Sequence, residues 1–286
     1  MRIALIQQHA TPDKTANVER GVAALRQAAE MGARCACFAE LAFERFHPQR
    51  PAEGDVAELA EPIPGPTTDA FRAAARELGL VVVINLFERT ADRCYDSSPV
   101  IDADGTLLGV TRMVHITDCE GFHERGYYAP GDGATMVYDT AAGRIGIAIC
   151  YDRHFPEYMR ALALQDARMV FVPQAGAVDE WPEGLYEAEM RVAAFQNGYF
   201  VGLCNRVGVE ERLTFAGESF VCGPDGIVSA RAPRGEDHVL IADVDLDSVD
   251  RSHARTLFLK DRRPEVYGSW LSPSSGTATC ARGDSG

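Results

Sequence analysis

No run of this 286-residue chain comes near the roughly 18 consecutive apolar residues that a membrane-crossing helix needs, so none is expected. The N-terminus enters at once as an alternating apolar strand, with no basic region ahead of a hydrophobic run, so no secretion signal is expected either. Positive charge is in short supply: 28 Lys and Arg stand against 42 Asp and Glu, a formal net charge of −14. Such a surface repels a phosphate backbone, and the arginines are scattered, which excludes nucleic acid as a partner and favours small molecules. Eight cysteines are too few for a disulfide scaffold. Cys35, Cys37, Cys150, Cys204 and Cys222 fall in or beside apolar runs, where a reduced thiol packs as a small hydrophobe; the cytoplasm fits. No Gly-x-Gly-x-x-Gly turn or phosphate loop follows a strand, and no Gly-x-Ser-x-Gly elbow is present. Lysine is nearly missing, with Lys14 and Lys260 the only two.

What is present can bury a large core, since 46% of the residues are hydrophobic. Without an internal linker or repeat, residues 1–270 read as a single domain, followed by a loose tail at 271–286 rich in Ser, Gly, Thr, Ala and Asp. Short apolar runs predict strands at 2–7, 35–39, 80–86, 144–149, 169–172, 199–204 and 239–244. Helices are predicted between the first two strands, with Val18, Val22, Leu25 and Ala29 on one face, and at 67–78, 156–165 and 182–197. Turns at Asp102–Gly105 and Pro224–Gly226 predict hairpins, the second with a strand over 215–222. Hairpins mixed with α/β units imply two packed sheets with helices outside.

Cys150 ends an apolar strand and precedes the polar turn Tyr151-Asp152-Arg153-His154, with a helix opening near Pro156. A thiol exposed beside a helix N-terminus would favour thiolate and alkylate readily, whereas a buried core cysteine would be inert. Glu40 ends another apolar strand. A carboxyl buried there needs a partner or keeps its proton, as a general base near neutral pH does, unless it reaches solvent. His115, Cys119 and His123 are spaced four apart in a stretch that also holds Asp118 and Glu124. Zinc would fit those residue types, but the spacing matches no standard finger or ribbon.

Taken in order, Phe38-Ala39-Glu40-Leu41, the stretch Gly109 to His115, Tyr128-Ala129-Pro130-Gly131-Asp132, Ala148 to Glu157, Cys204-Asn205-Arg206-Val207-Gly208 and Asp261 to Tyr267 resemble the nitrilase superfamily of carbon–nitrogen hydrolases. The likeness covers nearly the whole chain, and Thr111 to Tyr128 with Cys150 to His154 look most like N-carbamoyl amino acid and β-ureidopropionate amidases. It implies an αββα sandwich and a Glu-Lys-Cys triad, in which Cys150 attacks, Glu40 shuttles the proton and a lysine supports the oxyanion. It also implies that Glu124 orients the substrate, that Arg153 and His154 hold a substrate carboxylate, that no cofactor is needed, and that the chain pairs into a homodimer or larger homo-oligomer.

Two positions depart from the pattern. Met113 stands where the resemblance places the lysine, and a thioether neither carries charge nor donates a hydrogen bond. Strand alternation puts His115 on the same face as Met113, which makes it the nearer substitute. Asp96 stands where asparagine is usual. The chain therefore reads as a thiol hydrolase of a small amide or N-carbamoyl compound, impaired at position 113, or as a non-catalytic binding protein on the same scaffold.

Overall fold

A computed structural model describes residues 1–134 and 136–271, so most of the expected loose tail lies outside the described residues. Leu271 itself closes a helix, Pro264–Leu271. The main strands form two sheets. In the first, the spatial order is His238–Asp243, Arg2–Gln7, Cys35–Phe38, Val81–Val83, Cys94–Ile101 and Leu86–Arg89, with Leu107–Arg112 also paired to Cys94–Ile101. In the second it is Val228–Arg231, Phe220–Cys222, Phe200–Asn205, Met169–Gln174, Gly143–Ile147 and Val137–Thr140.

Strand alternation divides the core into layers. Met169 and Phe171 join the apolar cluster between the sheets, whereas Val170 and Val172 point the other way, to Tyr158, Met159, Leu162 and Met190. Those last residues belong to the helices Pro156–Leu164 and Leu185–Asn197, which cover the second sheet. Lys14–Glu30 and Pro66–Leu78 cover the first. The result is the αββα sandwich.

Three local expectations are corrected. The apolar run 80–86 is not one strand: it breaks after Val83 because the Asn85 side chain takes three hydrogen bonds inside the core. The run 215–222 divides into Thr214–Ala216 and Phe220–Cys222, which pair in different sheets. On the first helix the fully buried face is Asn17, Gly21, Leu25 and Ala28, with Val18 and Val22 only half buried. Asn17 caps the carbonyls of Thr11 and Phe43, and Gly21 lets Phe43 approach so closely that a Cβ there would lie 2.8 Å from its ring.

Candidate functional site

Glu40 follows the strand Cys35–Phe38 of the first sheet, and Cys150 opens a short 3₁₀ turn, Cys150–His154, after the strand Gly143–Ile147 of the second. Both turns pass through left-handed backbone in residues that rarely adopt it, with φ of 43° at Leu41 and 41° at Cys150. Strain of this kind costs about 1–3 kcal/mol and persists only where the surroundings over-determine it. At the first turn, Asn85 Oδ1 accepts from Leu41 N at 2.8 Å. Buried Arg206 donates to the carbonyls of Glu40 and Leu41. At the second, Asp152 accepts from the backbone N–H of Val114 and His115, tying the cysteine turn to the segment that carries Met113.

These clamps bring Glu40, Glu124 and Cys150 together: their ligating atoms all lie within 4.8 Å of one another, and all three residues are buried. Among the described residues this is the one group of three or more His, Cys, Asp or Glu side chains able to converge on a metal ion. His115, Cys119 and His123 do not converge, so the zinc alternative that the residue types left open has no ligand set here. His115 Nδ1 sits 2.7 Å from Asp152 Oδ1, His123 faces Asp118, and Cys119 is exposed.

The cluster is short of donors. Both oxygens of Glu40, Asp96 Oδ2, Glu124 Oε1 and the Tyr128 hydroxyl are buried without a hydrogen-bond partner. Burial, then the charges of Asp96 and Glu124, pushes the Glu40 carboxyl well above the usual range. Burial does the same to Glu124, with Asp96 the next cause, and raises Asp96 to about 6 despite the hydrogen bond it accepts from Asn85. Burial, then Glu40 and Glu124, pushes the Cys150 thiol well up. A readily alkylated, low-pKa thiolate is therefore not what this turn produces; burial and the carboxyls outweigh the helix terminus at a residue only 6% exposed.

Four other expected residues stand as follows. Met113 is fully buried in the core between the sheets. His115 is turned to Asp152 and stacked on Phe155, because the strand ends at Arg112 and alternation no longer holds beyond it. Arg153 and His154 both engage Glu189, through Arg153 Nη1 and, at 2.8 Å, His154 Nδ1, so neither is wholly free for a substrate carboxylate. They line a cavity of about 520 Å³ with Trp181, Tyr186 and Glu189. Sequence reasoning missed Gln174, the last residue of Met169–Gln174, whose Nε2 lies 3.3 Å from Cys150 Sγ. A polar residue ending an otherwise apolar strand was the one available signal.

Residues 2–254 match the carbon-nitrogen hydrolase family. The chain is similar to the N-carbamoylputrescine amidase of Solanum lycopersicum, 35% identical over 279 residues that cover 93% of each chain. Among solved structures it resembles a carbon-nitrogen hydrolase from Helicobacter pylori G27, with a TM-score of 0.86, 27% identity and coverage of 95% of this chain and 98% of that one. It also resembles an amidase from Nesterenkonia sp. AN1 carrying acrylamide on its active-site cysteine, with a TM-score of 0.80, 27% identity and coverage of 95% and 100%.

Proposed function

Because the chain belongs to the carbon-nitrogen hydrolase family of the nitrilase superfamily, we propose that it hydrolyses the C–N bond of a small amide or N-carbamoyl compound through a thioester on Cys150. The convergence of Cys150, Glu40 and Glu124 carries this reading. Glu40 takes the thiol proton as sulfur attacks the carbonyl carbon, and the raised affinity of its carboxyl for protons suits a base that must deprotonate a buried thiol. The proton passes to the leaving nitrogen, the C–N bond breaks, and a water deprotonated by Glu40 cleaves the thioester to restore the thiol. The unpartnered oxygens of Glu40, Asp96 and Glu124 suit the N–H groups of an amide or carbamoyl substrate. A binding-only protein would have no use for thiol and base held together at two strained turns.

The test is ammonia release from a panel of simple amides and N-carbamoyl amines. Activity in the wild-type chain, abolished in Cys150→Ala and Glu40→Gln, is expected. Since a missing oxyanion donor costs on the order of 10²–10³ in rate, Met113→Lys should raise turnover by a comparable factor. No release by either the wild type or Met113→Lys would sink the reading.

A further inference from the structure

A thiol that must become a thiolate, in a pocket where both oxygens of Glu40 and one each of Asp96 and Glu124 lack donors, needs hydrogen bonds from somewhere other than Met113. Two groups at the end of one strand face it. Gln174 Nε2 is 3.3 Å from the sulfur, and the backbone N–H of Ala175 points at it as well. The side-chain amide is not free to turn over. Arginine carries donors only, so Arg153 Nε, 2.9 Å from the other end of the amide, must face its oxygen, which leaves the NH₂ for Cys150. Arg153 is itself fixed: it is almost fully buried, paired with Glu189 through Nη1, and stacked 4.5 Å over the Tyr186 ring. Its third nitrogen, Nη2, is buried without an acceptor.

We propose that Gln174, locked in orientation by Arg153, supplies to the Cys150 sulfur and to the oxyanion formed beside it the hydrogen-bond donation that position 113 lacks. Gln174 touches the reacting atom and counts as catalytic; Arg153 acts through it as a positioning residue. The Arg153 charge polarises the amide, so donation to developing negative charge is stronger than from an isolated glutamine. The inference rests on Cys150 being the nucleophile, as proposed above. Its main test needs no substrate.

The discriminating variant is Gln174→Glu. Glutamate has the same shape and still accepts from Arg153, but it presents an acceptor to sulfur where the amide presented a donor. The remaining groups around the thiol stay in place: Glu40, Glu124, the Tyr186 hydroxyl and the Ala175 N–H. The rate of alkylation by iodoacetamide is read by mass spectrometry at Cys150, with exposed Cys119 in the same molecule as the internal reference. Across a pH series, Cys150 in Gln174→Glu should react about tenfold more slowly or less, with its profile displaced to higher pH, while Cys119 is unchanged. Arg153→Met, which frees the amide to rotate, should move Cys150 in the same direction by a smaller factor, and it serves as the second variant if Gln174→Glu does not fold.

An unchanged ratio of Cys150 to Cys119 reactivity in a folded Gln174→Glu protein overturns the inference, and ammonia release in the wild type would then leave the hydrolase reading standing. The converse outcome, a slowed Cys150 in a protein that releases no ammonia even as Met113→Lys, supports the donor role and removes the hydrolase reading.

Discussion

At Asp96 a fully buried carboxyl receives a hydrogen bond from Asn85 Nδ2, 2.5 Å from one oxygen, while its other oxygen has no partner. Burial is the first cause that lifts it from 3.8 to about 6. The unfolded chain therefore releases this proton first as pH rises. Between about pH 4 and 6 the folded state binds more protons than the unfolded one, so stability falls with rising pH and stays reduced above that window. Asp96→Asn keeps an acceptor for Asn85 and turns a donor toward the unpartnered side. We expect it to raise Tm by roughly 4–8 °C above pH 6, on the order of 2 kcal/mol, and to change little below pH 4. Thermal melts at both ends check this; an equal shift at both would show that the charge is not the cause. Cys150, Glu40 and Glu124, which the structure brings together, could be picked out in the sequence because each falls in a stretch that carries the family resemblance. Gln174 was not, since its partner Arg153 lies far along the chain and only packing reveals the pair.

The two strained turns at Leu41 and Cys150 depend on neighbouring elements more than on their own residues. Leu41 is held left-handed by Asn85, at the break in the run 80–86, and by Arg206, which follows the strand Phe200–Asn205. Asn85→Ala removes the acceptor for Leu41 N and the donor for Asp96 and Ser98. Leaving those buried groups unpaired should cost about 1–3 kcal/mol, read as a lower denaturation midpoint at unchanged slope. A cost near zero would mean the turn is stable by itself. The predicted strands and outer helices largely match the observed ones, since burial on alternating faces leaves a clear pattern. The break at Asn85 and the change of sheet between Ala216 and Phe220 were hidden, because an apolar run looks the same whether it continues in one sheet or passes to another.

Across the whole molecule, the sandwich makes its site at the ends of strands from both sheets: Glu40 from the first, Cys150 and Gln174 from the second. Packing the sheets face to face encloses acid, thiol and amide in low dielectric, which raises the carboxyl and thiol proton affinities and leaves almost no basic partner for them. The layer order was readable from the alternation of strands and helices. The shortage of donors at the site became visible only once the sheets were stacked. The most direct measurement of the central claim is covalent capture. Met113→Lys, with Glu40 intact, quenched in acid during turnover of an amide or N-carbamoyl compound that it hydrolyses, should retain the intermediate, and peptide mass mapping should find the acyl or carbamoyl group on the peptide containing Cys150. No adduct, or one confined to exposed Cys119, would contradict the account.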